Sequence, residues 1–241
     1  MKEINESFKK CPICLNGLSE EIFQYNNFDW DNTNIFDNLH IKHCSHCGFG
    51  FSFPDLDESI IEKFYKFDYL ERGTPFLRKG EYDLDHRSIA QILLSLQYCN
   101  WEKGDLFLDI GPGSGTSFSS ALSILDEPVL AAIEFANEAL AYFKRLYGVT
   151  GFTSIGDCVK KLKRKPKIIL SSHCLEHFTF KGAVKLINEI NESLDPSGVV
   201  IFEVPAEDFK DPRVINALHA PHFLFFTKDS LKKLFESNGF E

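Results

Sequence analysis

The sequence predicts an α/β protein: a doubly wound, mostly parallel sheet with helices on both faces, preceded by a small cysteine-rich segment. Three observations lead to this prediction. From Leu106 onward, short apolar runs alternate with segments of helical periodicity, as in chains built from β-α-β units. A glycine-rich turn follows the first of these apolar runs, and two C-x-x-C pairs precede the whole alternation.

The bulk composition is that of an ordinary globular protein. With 241 residues, 44% hydrophobic and 25% charged, the chain has room for one medium α/β domain and a small appendage. A net charge of -9 argues against nucleic acid as a partner, because nucleic-acid binding needs a basic surface. No apolar run approaches about 18 residues and the N-terminus lacks a signal-peptide core, so we expect a cytoplasmic protein without a membrane span.

The first structural feature along the chain is the set of four paired cysteines. Cys11 and Cys14 form one C-x-x-C pair, and Cys44 and Cys47 form the other. Each pair makes a tight turn that can present two thiolates to one tetrahedral ion, so we interpret residues 1–53 as a zinc ribbon with structural zinc. The alternative is a redox C-x-x-C, but that needs a single motif beside a β-α-β unit.

The glycine-rich turn is the second feature. The run from Leu106 to Ile110 has the length and content of a strand buried on both faces. Gly111, Gly113 and Gly115 then allow positive φ angles and close approach of a ligand to the backbone. The helix expected from Thr116 points its free N–H groups at the same place, which indicates a site for a nucleotide-type cofactor.

The spacing of this turn narrows the choice of cofactor. The pattern is G-x-G-x-G with Thr116 in the next position, whereas the dinucleotide fingerprint is G-x-G-x-x-G. A P-loop is excluded because no Gly-Lys-Ser/Thr follows. Glu134 comes nineteen residues after Gly115, at the end of the second apolar run. An acid in that place can accept hydrogen bonds from two ribose hydroxyls.

The rest of the chain divides into further helices, strands and loops. Helices are expected over residues 57–65, 82–99, 116–125, 137–147, 181–194 and 228–237, with Gly148 as a C-cap and Thr227 as an N-cap. Strands are expected over residues 22–25, 49–53, 106–110, 129–135, 152–155, 167–172 and 199–204, with another that begins at Gly239. Residues 205–223 are expected to form an irregular loop.

Several of these motifs together resemble class I S-adenosylmethionine (SAM)-dependent methyltransferases. The resemblance rests on Leu108-Asp109-Ile110 followed by the three glycines, on Leu175-Glu176-His177 after a strand, and on the run Cys-Gly-Phe that begins at Cys47. The chain is most similar in pattern to bacterial methyltransferases with an N-terminal zinc-binding segment, many of which modify sugars or other small metabolites. This implies a Rossmann-like methyltransferase fold whose C-terminal strand hairpin we expect to be missing, because the sequence ends at Glu241.

The resemblance also implies domains and cofactor contacts. The expected division is a zinc ribbon (1–53), a connector with a helix that lines the cofactor cleft (54–100), and a SAM-binding methyltransferase domain (101–241). Glu134 would hold the ribose, Asp157 the adenine amino group, and the segment Ser172-His173 the methionine end of SAM. The expected cofactor contacts are Asp109, Gly111, Gly113, Gly115, Glu134, Asp157, Ser172 and His173.

The resulting functional hypothesis is methyl transfer from SAM to a small-molecule acceptor, such as a nucleotide-sugar or polysaccharide precursor. Histidine suits the removal of a proton from the acceptor, and the expected catalytic residues are His222, His219 and His177. One alternative is a non-catalytic zinc-ribbon binding module on a degenerate SAM fold. Another is an NAD(P)-dependent oxidoreductase, which Thr116 disfavours. The sequence leaves the oligomeric state open.

Overall fold

The structure is a computed structural model that describes residues 10–19, 22–25, 35–36, 38–68, 86–216 and 222–240. His219, one of the expected catalytic residues, lies outside the described residues. So do residues 82–85 of the helix expected over 82–99, and Glu241.

The helices and strands are named here in chain order. The strands are β1 (Ile22–Gln24), β2 (His40–His43), β3 (Gly50–Phe53), β4 (Leu106–Ile110), β5 (Val129–Ile133), β6 (Thr150–Phe152), β7 (Pro166–Ser172), β8 (Val199–Glu203) and β9 (Leu224–Phe225). The α-helices are α1 (Glu58–Lys63), α2 (His86–Ser95), α3 (Thr116–Ile124), α4 (Asn137–Tyr147), α5 (Ile155–Leu162), α6 (Phe180–Ser193), α7 (Pro212–Asn216) and α8 (Lys228–Glu236). A π-helical segment (Phe64–Asp68) and a 3-10 turn (Leu175–His177) complete the described elements.

The chain forms two compact units. Unit 1 comprises Met1–Ile61, Leu175–Asn188 and Val204–Glu241, and unit 2 comprises Glu62–Cys174 and Glu189–Glu203. Both units are therefore discontinuous in sequence. The division into segments 1–53, 54–100 and 101–241 stays a prediction.

Unit 1 contains a four-stranded sheet in the order β1-β2-β3-β9, in which each neighbouring pair is antiparallel. Phenylalanine side chains fill its interior: Phe49, Phe225 and Phe226 are at most 1% exposed. The rings of Phe49 and Phe226 lie 5.4 Å apart between centroids. Burial of aromatic rings of this size supplies a large share of the stabilisation of such a small sheet.

Unit 2 contains a five-stranded parallel sheet in the order β6-β5-β4-β7-β8. All five residues of the central strand β4 are buried, because neighbours cover both of its faces. On one face, Phe107 packs with Phe118 of α3 and Phe143 of α4 in a single apolar cluster. The parallel sheet and its helices confirm the predicted α/β class and the Rossmann-like arrangement.

Most predicted elements of unit 2 occur where expected, but α5 was not predicted and the helix expected over residues 82–99 ends at Ser95. The strand expected over residues 152–155 is β6, which ends at Phe152, and Ile155 already begins α5. Ser154 caps this helix, since its Oγ accepts a hydrogen bond from the backbone N–H of Asp157 at 3.2 Å. A short apolar stretch beside a serine is compatible with a strand or with the start of a helix. The hydrogen bond from the Asp157 N–H to Ser154 favours the helix.

Two predictions for the C-terminal part of the chain were also wrong. The irregular loop expected over residues 205–223 includes α7, and β9 follows it as an edge strand that pairs with β3. No strand begins at Gly239, because residues 237–239 form a turn and Phe240 packs on Phe235 with ring centroids 5.4 Å apart. The capping box at Thr227 confirms the predicted start of α8.

None of the helices in the described part of the chain is long and apolar enough to cross a membrane.

Candidate functional site

The glycine loop after β4 has the backbone conformation that the sequence predicts. Gly111, Gly113 and Gly115 have φ angles of 66°, 53° and 78°. A Cβ at Gly111 would lie 2.5 Å from Cys174 Sγ, and one at Gly115 would lie 2.6 Å from Phe143 Cε1. A Cβ at Gly113 would meet nothing within 4 Å. The outer two glycines are thus required by the packing of the protein itself, whereas Gly113 borders open space that a ligand can enter.

Asp109 anchors this loop to the helix that follows it. Its side chain is 3% exposed and accepts a hydrogen bond from the Ser117 hydroxyl in the first turn of α3. Burial raises the pKa of Asp109 to about 7, and the nearby charge of Glu134 acts in the same direction. Asp109 therefore holds the end of β4 and the start of α3 together from beneath the loop.

Glu134 follows β5 at the carboxyl edge of the sheet. Its Oε1 accepts hydrogen bonds from the backbone N–H groups of Phe135 at 2.8 Å and Ala136 at 3.0 Å. Burial raises the pKa of Glu134 even though these two hydrogen bonds oppose the change. The backbone N–H of Gly111 donates to the carbonyl of Ile133 at 3.0 Å, so the loop and the strand end that carries Glu134 are directly connected.

Asp157 lies in the first turn of α5 and is exposed. The sequence placed it just after a strand expected over residues 152–155, and the correction follows from the start of the helix at Ile155. Its carboxylate lies where the positive end of the helix dipole favours a negative charge. That electrostatic role does not itself require a ligand.

Ser172 and His173 lie at the carboxyl end of β7. Gln91 of α2, which is 6% exposed, donates from Nε2 to Ser172 Oγ at 3.1 Å and to Glu203 Oε2 at 2.7 Å. His173 has a φ of 52°, and its Nε2 lies 3.3 Å from Glu203 Oε1. Arg87 Nε is 3.5 Å from the same carboxylate oxygen.

Glu203 and Gln91 were not predicted from the sequence. Glu203 ends β8 as an acid after an apolar run, which is the same signal that identified Glu134. Gln91 gave no such signal, because one buried amide on a helix is as common in a core as in a site. Together, the structure brings the loop, Glu134 and the segment Ser172–Cys174 to one edge of the unit 2 sheet, where parallel sheets bind ligands.

A separate cavity of about 690 Å³ lies at the opposite, amino-terminal edge of this sheet, near the start of β4. Its lining is mainly basic and includes residues at the end of α5 and the loop after it. The lining residues are Gly104, Asp105, Leu106, Val159, Lys160, Lys163, Arg164, Lys165 and Asp195. None of the expected cofactor contacts is among them.

In unit 1, the structure brings the four paired cysteines together. The Sγ atoms of Cys11 and Cys47 are 3.6 Å apart, those of Cys14 and Cys44 are 3.5 Å apart, and all four lie within 4.8 Å of one another. A tetrahedral zinc ion with Zn–S bonds of about 2.3 Å has S–S edges of about 3.8 Å. The donor set and its spacing therefore fit zinc.

The backbone of this cluster agrees with that fit. In both pairs the residue after the second cysteine, Leu15 or Gly48, has a positive φ, and its N–H donates to the carbonyl of the first cysteine. Burial opposes ionisation of Cys14, but hydrogen bonds from Asn16 and the neighbouring thiols lower its pKa to about 6. Burial prevails at two of its neighbours: it raises the pKa of Cys47 to about 11 and raises that of Cys11 as well. Metal binding requires the thiolates, so a zinc ion would displace the protons of these thiols when it binds.

A second polar group in unit 1 contains two of the expected catalytic residues. His222 Nδ1 lies 3.3 Å from Glu207 Oε1, and the rings of His222 and His177 are 5.1 Å apart between centroids. His177 Nε2 is 3.9 Å from an oxygen of Glu176, whose side chain is 1% exposed. Burial would lower the pKa of His222, but the hydrogen bond and charge of Glu207 and the charge of Glu176 outweigh it and raise the pKa. The sequence did not assign a role to Glu176 or Glu207.

Two solved structures that align with this chain at a TM-score above 0.5 share its fold. The magnesium protoporphyrin IX methyltransferase of Synechocystis PCC 6803, solved with bound S-adenosylhomocysteine (SAH), aligns with a TM-score of 0.53 at 12% identity over 76% of this chain and 89% of that chain. A cyclopropane synthase of Mycobacterium tuberculosis aligns with a TM-score of 0.51 at 15% identity, over 75% and 70%. DesVI of Streptomyces venezuelae gives 0.41 at 19% identity, over 64% of this chain and 60% of that chain.

No curated protein was found to match the sequence. The sequence does match a protein family described as a methyltransferase domain, over residues 84–241. That match covers more than half of the chain and includes the glycine loop, Glu134, Asp157 and the segment Ser172-His173. The chain therefore belongs to this methyltransferase domain family.

Proposed function

We propose that this protein transfers the methyl group of SAM to a small-molecule acceptor. The observation that carries the proposal is the open space at Gly113, on a loop that Gly111 connects to the strand end bearing Glu134. A methyltransferase-family chain that keeps an open glycine loop and an acid at the next strand end retains the two features that hold a nucleoside cofactor.

The residues of unit 2 would hold SAM in the following way. The backbone of the glycine loop would contact the cofactor. Glu134 would accept hydrogen bonds from the ribose hydroxyls, and Asp157 would accept one from the adenine amino group. Ser172 and His173 line the methionine end. When bound, SAM supplies an electrophilic methyl group, and the main tasks of the protein are to align the acceptor and exclude water.

Binding measurements test this proposal. We expect the protein to bind SAM and SAH in isothermal titration and not to bind NAD or NADP. Binding of NAD in place of SAM would favour an oxidoreductase. Binding of SAM without methyl transfer to any acceptor would favour the non-catalytic binding module.

We also propose that Cys11, Cys14, Cys44 and Cys47 hold a structural zinc ion. Protein purified without chelator is expected to contain one zinc per chain, and Cys44→Ser is expected to lose it. Cys99→Ser changes a buried cysteine of unit 2 and serves as the matched control, so it should keep the metal. Wild-type protein without zinc would contradict the assignment.

The acceptor and the base remain proposals from the sequence. We propose a hydroxyl- or amine-bearing acceptor of the nucleotide-sugar or polysaccharide-precursor class, with His222 as the general base and His177 or His219 as the alternatives. The pair formed by His222 and Glu207 supports this choice, because a carboxylate on Nδ1 fixes the tautomer and makes the imidazole more basic. Methyl incorporation from labelled SAM across a panel of nucleotide-sugars would test the acceptor class.

A further inference from the structure

His173 has a backbone conformation that is unfavourable for its residue type. Its φ of 52° lies in the left-handed region, which residues with a Cβ adopt rarely and at a cost. Such a conformation persists only where the surroundings hold it, and residues of this kind concentrate at functional sites. His173 directly precedes Cys174, whose Sγ would lie 2.5 Å from a Cβ at Gly111, so the strained residue borders the glycine loop.

Glu203 supplies the surroundings that hold His173. The backbone N–H of His173 donates to the Glu203 carbonyl at 2.8 Å, and its Nε2 lies 3.3 Å from Glu203 Oε1. One residue of β8 therefore contacts both the main chain and the side chain of His173. The backbone contact continues the pairing of Ser172 with Glu203, but the side-chain contact is specific to this histidine and this carboxylate.

The Glu203 carboxylate is itself fixed from the other side. Gln91 donates to Oε2 at 2.7 Å and Arg87 lies 3.5 Å from Oε1. Gln91 is buried and also donates to Ser172 Oγ, so one amide connects the carboxylate to the residue before His173. A carboxylate with several donors has little rotational freedom, and it restricts the imidazole that it contacts.

We propose that Glu203 is a positioning residue for SAM binding: it holds His173 in the left-handed conformation, which keeps the segment Ser172–Cys174 in place beside the glycine loop. Glu203 need not contact the cofactor. This inference rests on the proposed function, because the affinity that it controls is the affinity for SAM.

A pair of substitutions at His173 separates the backbone effect from the loss of the imidazole. Glycine adopts a positive φ without strain, whereas alanine does not, and both lack the ring. His173→Gly is therefore expected to bind SAH more tightly than His173→Ala, by roughly 5–30-fold, which corresponds to the left-handed penalty for a residue with a Cβ. Equal affinities of the two variants would overturn the proposal.

A second experiment addresses Glu203 directly. Glu203→Ala should weaken SAH binding by roughly 5–30-fold, and adding His173→Gly to it should recover most of the loss, because glycine no longer needs to be held. Glu102→Ala removes an exposed glutamate of unit 2 and should bind as the wild type does. A merely structural role of Glu203 would lower the unfolding temperature without this recovery.

The outcomes distinguish the inference from the proposed function. Wild-type protein that binds SAH, together with a Glu203→Ala variant that binds equally well or is not rescued by glycine, would overturn the role of Glu203 alone. Wild-type protein that fails to bind SAH would overturn the proposed function and the role of Glu203 with it. If Glu203→Ala fails to fold, the comparison of His173→Gly with His173→Ala still tests the proposal, since both variants leave the carboxylate in place.

Discussion

Each unit of this protein contains a histidine paired with a glutamate, and the two pairs differ in what surrounds them. In unit 1, the side chains of His222 and Glu207 are 23% and 17% exposed. In unit 2, those of His173 and Glu203 are both 39% exposed. Glu207 Oε2 is buried without a hydrogen bond from the described residues, whereas both oxygens of Glu203 face donors on α2.

The difference assigns different physical effects to the same pair of residue types. A buried carboxylate with few other partners interacts strongly with the imidazole beside it, so Glu207 changes the protonation equilibrium of His222. The charge of a more exposed carboxylate is screened by solvent, and its oxygens have other donors beside them. The donors on α2 fix the Glu203 carboxylate in place, so its proposed effect on His173 is geometric. A histidine–carboxylate distance alone does not distinguish these two roles.

The largest effect is expected from a substitution at Gly113. This substitution tests whether the cofactor binds to unit 2. Gly113→Val should abolish SAM binding, since it fills the open space beside the loop. Gly148→Val is the matched control: Gly148 also has a positive φ, 71°, and open space around its Cα, but it caps α4. Isothermal titration of both variants separates ligand exclusion from backbone strain, and equal losses would show that the loop is not the site.

The next largest effect separates the two histidines. His222→Ala should lower turnover by about 10²–10⁴-fold, as expected for loss of a general base, while SAM affinity stays close to that of the wild type. His173→Ala should instead lower SAM affinity more than it lowers turnover. His46→Ala, which removes an exposed histidine of unit 1, is the control for nonspecific effects. Turnover of His222→Ala within a few-fold of wild type would exclude His222 as the base.

Asp109 is a third carboxyl group, and it is buried more completely than Glu207 or Glu203. The pKa of Asp109 is raised to about 7 in the folded protein and lies near 4 in the unfolded chain. The folded state therefore binds the extra proton between these values, and this contribution to stability is lost as pH rises toward 7. Asp109→Asn lacks this ionisation and does not show the loss. The unfolding free energy of the variant minus that of the wild type should therefore increase by roughly 3–5 kcal/mol from pH 4 to pH 8. Denaturant unfolding at both pH values measures it, and parallel pH profiles would contradict it.

The sequence predicted the sheet of unit 2 well because its signals are local. A buried strand such as β4 is a continuous apolar run, and Gly148 ends a helix through a conformation that other residues avoid. The cysteine cluster was predictable for the same reason, since the spacing within each pair already determines a turn. These features depend on a few neighbouring residues, so the chain order alone reveals them.

The missed features depend on residues that are distant in the sequence. Strand β9 has only two residues and forms because β3 offers its edge, more than 170 residues earlier in the chain. Glu203 reaches His173 only once β7 and β8 pair, and Gln91 reaches both from a helix before the sheet begins. His222 and Glu207 are separated by a segment expected to be irregular. No local pattern encodes these contacts.

The smallest expected effect tests the electrostatic side of the comparison within unit 1. Glu207→Gln keeps an oxygen that can accept from His222 Nδ1 but removes the negative charge, so the raised pKa of His222 should fall. A base must be deprotonated to act, and turnover is lost as pH falls through its pKa. The acidic limb of the pH–rate profile should therefore move to lower pH in Glu207→Gln, while turnover at high pH changes little. Glu203→Gln should leave that limb in place, because the proposed role of Glu203 is geometric. An acidic limb that responds to Glu203 and not to Glu207 would contradict this assignment of the two roles.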